Sequence, residues 1–168
     1  VYCTDDASVT TLVPGTESEG KMSPKNLQST TITDELKLST NFKGKVIGIS
    51  IKDRGAILPA GHFADWAFWY CKTGEFISSS FYGEKLPTWV TDFNKEKNYL
   101  GYTNKGWDLL KPKETYNESL ADDNPYEGKL YKKTPFFPYN MKEMIDNNDA
   151  GVIRVSPYGN DLLADFAK

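Results

Sequence analysis

The sequence contains few of the side chains on which metal sites and acid–base catalysis usually depend. Its 168 residues include one histidine, His62, and two cysteines, Cys3 and Cys71. Zinc sites need three or four such ligands at characteristic spacings, and these residues do not show that pattern. A structural role is the commoner one for a lone histidine, and we expect it for His62. Whether the two cysteines pair is left open, because geometry decides it.

Excess positive charge and long apolar runs are missing as well. The chain carries 20 Lys and Arg against 23 Asp and Glu, so its formal net charge is -3. This balance argues against a broad nucleic-acid-binding face. No run approaches the ~20 apolar residues that a membrane-spanning helix needs. The length, and an aromatic content of 14%, instead favour one folded domain with a core.

The patterning that is present predicts an α/β fold. Ser23-Pro24 is a strong helix start, and we expect that helix to run to about Leu38. The apolar run Val46–Ile51 follows, and a helix followed by such a run is typical of a parallel strand buried on both faces. The helix would bury an apolar stripe and turn its charged residues to water. The stripe comprises Leu27, Thr31 or Ile32, Leu36 and Leu38, and the water-facing residues are Asp34, Glu35 and Lys37.

Further elements are predicted along the rest of the chain. A hairpin has its turn at Lys72–Glu75 and its return strand at Phe76–Phe81. Short helices begin at Leu86-Pro87 and span Met141–Asp146, and a core strand spans Gly151–Val155. A final helix is capped by Asn160 and buries Leu162, Leu163 and Phe166. Residues 94–140 are irregular and contain several prolines, which is typical of a functional loop or an insertion over a site.

The most informative segment is the end of the first apolar run, where Lys52 and Arg54 flank Asp53. In an extended backbone the two cations would share one face and the carboxylate would lie on the other. Ligands of open α/β sheets tend to bind at such a strand end. A lysine and an arginine together suit a tetrahedral oxyanion such as phosphate. The alternative is a pair of solvated surface cations, which the spacing alone favours.

Several long motifs occur in order along nearly the whole chain. They are VYCTDD at residues 1–6, GKMSPKNL at 20–27, TTITDELKL at 30–38, KDRGAILPAGH at 52–62, LPTWV at 86–90, PYEG at 125–128 and SPYGN at 156–160. Together they resemble the Bacteroidetes-type alkaline phosphatases of the type I phosphodiesterase/nucleotide pyrophosphatase group. The resemblance implies an alkaline-phosphatase-like fold, with parallel strands, flanking helices and an irregular, aromatic-rich insertion.

The resemblance also implies a reaction and a role for the two cations. In that family a Thr or Ser nucleophile attacks phosphorus between two zinc ions, and water hydrolyses the resulting phosphoenzyme. In the monoesterase branch a lysine and an arginine two positions apart contact the phosphoryl oxygens. Lys52 and Arg54 match that pair, and the match reverses the preference for solvated cations. Fixed cations aimed at the free oxygens of a monoester dianion would favour it over a diester.

The same resemblance predicts that this chain is an internal fragment. The nucleophile would lie before Val1 with the first zinc ligand, and the remaining Asp and His ligands would lie beyond Lys168. We therefore expect no catalytic or metal-binding residue here, and no activity of the chain alone. Residues 1–62 and 141–168 would be core pieces, with 63–140 as an insertion that covers the substrate. The intact enzyme would act on small phosphate esters in the periplasm or after secretion, and exposed strand edges would allow the fragment to self-associate.

Two other functions remain as alternatives. A phosphodiesterase or nucleotide pyrophosphatase is one, although paired cations argue against it because a diester has one fewer anionic oxygen. The other is a glycan-binding module without catalysis, whose sugar-stacking surface would use four aromatic side chains. These are Trp66, Trp69, Tyr70 and Trp89.

Overall fold

The computed structural model describes residues 2–121, 123–130 and 135–168. Its helices and strands form the mixed α/β arrangement that the patterning predicts. The strands are β1 (Ile47–Ser50), β2 (Trp66–Tyr70), β3 (Phe76–Ile77), β4 (Gly106–Trp107) and β5 (Tyr139–Asn140). The α-helices are α1 (Glu17–Gly20), α2 (Ile32–Ser39), α3 (Asp53–Ala60), α4 (Thr88–Lys95), α5 (Met141–Asn147) and α6 (Tyr158–Ala167). Short 3-10 helices lie at Pro24–Asn26, Asn98–Tyr102, Lys113–Thr115 and Ala150–Val155.

The main sheet has the strand order β1-β2-β3. β1 pairs parallel with β2, from Ile47 opposite Trp66 to Ser50 opposite Trp69. β2 then pairs antiparallel with β3. The predicted parallel strand and the predicted hairpin are therefore confirmed, although β3 ends at Ile77. Burial of β1 on both faces is wrong, because Ile47 is 49% exposed and β2 is the only strand beside β1 among the described residues.

The predicted helix over 24–38 is wrong, because the segment divides into two elements. The Ser23 hydroxyl accepts a hydrogen bond from a backbone N–H and caps only the short turn Pro24–Asn26. The α-helix α2 begins later, where Thr31 and Asp34 form a reciprocal capping box. Such a box satisfies two backbone donors at a helix start, so it marks the first turn.

The buried and exposed faces of α2 are largely the reverse of the prediction, although Glu35 is exposed as expected. Ile32 is 85% exposed, whereas Asp34 and Lys37 are buried. The Asp34 carboxylate accepts the Phe63 N–H at 2.9 Å, and the Lys37 ammonium lies 2.9 Å from an Asp65 carboxylate oxygen. Burial favours the neutral form of Asp34, but backbone hydrogen bonds outweigh it and lower its pKa. Specific partners thus bring polar side chains of α2 inside.

The predicted core strand at Gly151–Val155 is wrong, since Ala150–Val155 forms a 3-10 helix. The Asp149 carboxylate accepts the Gly151 N–H at 2.8 Å. Local bonds of this kind satisfy backbone groups that a sheet would otherwise pair. Val152 is nonetheless fully buried, which explains why the segment has the composition of a strand.

The short helices predicted from Leu86-Pro87 and at Met141–Asp146 are confirmed, as α4 and α5. The final helix is also present, but it begins at Tyr158, two residues before the predicted cap. It buries Leu162 and Phe166, while Leu163 is only partly buried. The Phe166 ring stacks on Phe76 of β3, with 3.8 Å between ring centroids. This aromatic core fixes α6 against the sheet.

The helix α3 approaches β1 closely at Gly48. A Cβ atom at this position would lie 2.1 Å from the Ala56 carbonyl oxygen and 2.8 Å from the Ala60 Cβ. The absence of a side chain therefore allows the contact between strand and helix. Because α3 follows β1 directly, this contact also sets where the first turn of α3 lies.

We expect Gly48→Ala to lower the free energy of unfolding by about 1–3 kcal/mol, because the added methyl group meets backbone atoms that cannot move aside. Urea denaturation followed by tryptophan fluorescence measures this. Gly101→Ala is the matched control, since a Cβ there meets nothing within 4 Å. The control should change stability by no more than about 0.5 kcal/mol. Equal losses in the two variants would show that the close approach is unimportant.

No helix in the described part of the chain has the length and apolar character needed to cross a membrane. The division into core pieces at 1–62 and 141–168 and an insertion at 63–140 stays a prediction. β2 belongs to the proposed insertion, yet it pairs directly with β1 of the proposed core.

Candidate phosphate-binding site

The two candidate cations lie where β1 leads into α3. β1 ends at Ser50, and α3 begins at Asp53 with Lys52 as its N-terminal cap residue. The expectation of one extended face is wrong, because only Lys52 has extended backbone and Arg54 lies in the first helical turn. Both side chains are exposed. Both residues nevertheless lie at the N-terminus of α3, where the helix dipole adds partial positive charge.

Asp53, between the two cations, is held by residues near the start of the chain. The Tyr2 hydroxyl donates to one carboxylate oxygen of Asp53 at 2.9 Å. The Thr4 hydroxyl donates to the other. The Arg54 guanidinium in turn donates to the Tyr2 oxygen at 3.0 Å. Tyr2 and Thr4 were not singled out from the sequence, and their only signal is that they belong to the VYCTDD motif.

The hydrogen bonds affect the protonation of the groups at this site. The hydrogen bond to Tyr2 raises the pKa of Arg54 above its usual value. Burial raises the pKa of Tyr2, and its hydrogen bond to Asp53 acts in the same direction. At neutral pH the site therefore holds a guanidinium cation and a neutral phenol.

A cavity of about 220 Å³ lies beside Lys52, and Arg54 is not among the residues that line it. Lys52 lines it together with Tyr2 and Asp53. Arg154 and Glu19 also line the cavity and are paired, with 2.8 Å between a guanidinium nitrogen and a carboxylate oxygen. Neither Lys52 nor Arg54 forms an ion pair with a carboxylate in the part of the chain that the structure describes. Their charge is thus available to an external anion.

Of the other candidate residues, Trp69 and Tyr70 line this cavity. His62 is partly buried, and Cys3 and Cys71 are both free thiols, exposed and buried respectively. Trp69 is 2% exposed, and its indole N–H donates to the Glu19 carbonyl oxygen at 2.9 Å. A surface for sugar stacking that includes Trp69 is therefore not formed.

The described residues bring together no group of three or more His, Cys, Asp or Glu side chains that fits a metal ion. The two zinc ions that the resemblance implies therefore find no ligand set among these residues.

Comparison with known proteins identifies the class: the chain is homologous to part of the alkaline phosphatases. The resemblance to alkaline phosphatases that the motifs predict is therefore confirmed. The alkaline phosphatase PhoV of Synechococcus elongatus is 50% identical, and the alkaline phosphatase PafA of Elizabethkingia meningoseptica is 46% identical. The matches cover 100% and 99% of this chain, but only 30% and 31% of those proteins. A Myroides odoratus protein named calcium-transporting ATPase is 52% identical over 100% of this chain and 31% of its own length. No family model matches the chain.

Solved structures give the same result. The wild-type PafA crystal structure matches 99% of this chain and 33% of its own, with a TM-score of 0.91 and 46% identity. A PafA variant matches over the same shares with a TM-score of 0.91 and 44% identity. That variant carries four substitutions, of a threonine, an asparagine, a lysine and an arginine, and the last two are two positions apart. The chain thus spans about a third of the length of the relatives that it matches.

Proposed function

We propose that this chain supplies the phosphate-binding side chains of a zinc-dependent phosphate monoester hydrolase. The observation that carries the proposal is the placement of Lys52 and Arg54 together at the N-terminus of α3, free of carboxylate partners among the described residues. The lysine and arginine substituted together in the PafA variant have the same spacing, which supports it. In this proposal both side chains donate hydrogen bonds to the free oxygens of the phosphoryl group.

The charge at this site favours a monoester over a diester. A monoester dianion presents more negative charge on its free oxygens than a diester, which has one fewer anionic oxygen. Two cations at a helix N-terminus therefore stabilise the monoester and its transition state more strongly. The alternative, a phosphodiesterase or nucleotide pyrophosphatase, would gain less from the second cation.

The nucleophile and the zinc ligands are proposed to come from protein outside residues 1–168. No zinc ligand is assigned to this chain, because the described residues hold no suitable cluster. The phosphoenzyme route and a periplasmic or secreted location belong to the same proposal and rest on the resemblance. The free edge of β1 in the described part of the chain supports self-association of the isolated chain.

The test is a grafted enzyme, in which residues 1–168 replace the matching segment of the Elizabethkingia alkaline phosphatase PafA. We expect it to hydrolyse a chromogenic phosphate monoester faster than the corresponding diester. Chelation of zinc should abolish this activity, and added zinc should restore it. The chain alone should show no turnover.

Two results would contradict the proposal. One is zinc-dependent monoester hydrolysis by the chain alone. The other is a folded, zinc-loaded grafted enzyme that prefers the diester. Circular dichroism and thermal unfolding of the grafted enzyme separate a failure to fold from a failure of the proposal.

A further inference from the structure

We propose that Tyr2 is a positioning residue for Arg54, and that Asp53 and Thr4 hold Tyr2 in place for this role. The inference rests on the proposed function, because it concerns how the arginine reaches the phosphoryl group. It is carried by one chain of hydrogen bonds, which runs from Arg54 to the Tyr2 oxygen and from Tyr2 to Asp53.

The chemistry of the three groups makes the phenol a natural bridge. A guanidinium only donates hydrogen bonds and an ionised carboxylate only accepts them. A tyrosine hydroxyl does both, so Tyr2 accepts from Arg54 and donates to Asp53 at the same time. One arginine N–H is used in this way, and the other donors of the planar fork remain for an anion.

The bridge also prevents direct neutralisation of the arginine. Asp53 precedes Arg54 in the chain, but no ion pair joins the two in the described structure. The two carboxylate oxygens of Asp53 instead face the hydroxyls of Tyr2 and Thr4. Asp53 therefore fixes the phenol, and the positive charge of Arg54 is kept for the substrate.

The residues behind the bridge are themselves anchored. Thr4 is fully buried, and its carbonyl oxygen accepts the Ser23 N–H at 2.9 Å. Arg54, in contrast, is an exposed side chain with many rotamers, and ordering it on substrate binding would cost conformational entropy. The Tyr2 side chain is 41% exposed, but its hydroxyl is bonded to Asp53, and a phenol oxygen held in this way restricts the Arg54 rotamers before substrate binds.

The experiment is a double-mutant cycle in the grafted enzyme with Tyr2→Phe, Arg54→Ala and the double variant. Tyr2→Phe keeps the ring and removes only the bridging hydroxyl. We expect it to lower monoester kcat/KM by about tenfold when Arg54 is present, and by less than about twofold in the Arg54→Ala background. Tyr2→Phe should also raise the inhibition constant of inorganic phosphate, and this rise should be smaller in the Arg54→Ala background.

Tyr158→Phe is the matched control. The Tyr158 hydroxyl donates to the Gly106 carbonyl oxygen, and neither residue lines the cavity beside Lys52. This variant should leave both kinetic readouts unchanged, although it also removes one hydroxyl from a tyrosine.

The possible outcomes separate this inference from the proposed function. If Arg54→Ala lowers monoester hydrolysis but Tyr2→Phe does not, only the positioning role is overturned. The positioning role alone is also overturned if Tyr2→Phe lowers monoester kcat/KM by the same factor with and without Arg54, since Tyr2 then acts independently of Arg54. If Arg54→Ala has no effect on monoester hydrolysis, the proposed function and the positioning role both fail.

Discussion

Lys52→Ala and Arg54→Ala are each expected to lower monoester kcat/KM of the grafted enzyme by about 10²–10³-fold, the usual cost of removing one donor to a developing oxyanion. Each variant removes a cation that has no carboxylate partner in the described structure and that lies at the N-terminus of α3. Diester hydrolysis should fall far less, because the diester has one fewer anionic oxygen for these cations. Steady-state kinetics with a matched monoester and diester measures both effects.

Lys142→Ala is the control for the loss of positive charge. Lys142 is exposed, pairs with Asp146 on α5 and takes no part in the candidate site. It should leave monoester and diester hydrolysis unchanged. Equal losses on the two substrates with Lys52→Ala or Arg54→Ala would count against a role in recognising monoesters.

The second large effect is expected at Asp65, which joins α2 to the start of β1. Its carboxylate lies 2.9 Å from the Lys37 ammonium and accepts the Val46 N–H at 2.8 Å. The side chains of Lys37 and Asp65 are only 6% and 22% exposed. Asp65→Asn would leave the buried ammonium without its counter-charge, so we expect it to lower the free energy of unfolding by about 3 kcal/mol. Urea denaturation of the chain at pH 7 measures this.

The loss of unfolding free energy in Asp65→Asn should depend on pH. Burial raises the pKa of Asp65, but hydrogen bonds from Val46 and two lysines outweigh burial and lower it to about 2. A carboxyl whose pKa is lower in the folded state stabilises that state above its unfolded pKa, near 4. This contribution is lost as the pH falls towards about 2. The difference between wild type and Asp65→Asn should therefore shrink between about pH 5 and pH 2.

Asp92→Asn is the matched control for the Asp65 experiment. Asp92 also pairs with a lysine, Lys95, but both side chains are more than half exposed. An exposed pair of this kind is worth no more than about 1 kcal/mol. If Asp65→Asn behaves like Asp92→Asn at every pH, the buried pair does not stabilise the fold as described.

Much of the local structure could be predicted because it depends on neighbours in the sequence. The parallel strand β1, the hairpin β2–β3 and the helices α4 and α5 follow from apolar patterning and turn residues close to each element. Ser23 does cap a helical turn, as predicted, but the turn is short. The capping box of Thr31 and Asp34 was also available in the sequence and would have placed the start of α2 correctly.

The errors occur where polar partners decide, whether those partners lie far along the chain or beside the element. Lys37 was expected to face water, and it is buried because Asp65, far along the chain, provides a counter-charge. The run Gly151–Val155 has the composition of a strand but forms a 3-10 helix. The Asp149 carboxylate accepts the Gly151 N–H at its start, and the Ser156 N–H donates to the Ile153 carbonyl oxygen at its end. Periodicity reports where apolar side chains fall along an element, and it carries no information about polar partners elsewhere.

The sequence by itself determined the family, through long motifs in a fixed order, and it placed Lys52 and Arg54 two positions apart. Only the tertiary structure decided that the Tyr2 hydroxyl bridges Arg54 and Asp53, because 52 positions separate Tyr2 from the arginine. The physical reason is that spacing restricts only side chains on neighbouring backbone. A hydrogen bond between distant residues exists only after the packing of strands and helices has brought them together.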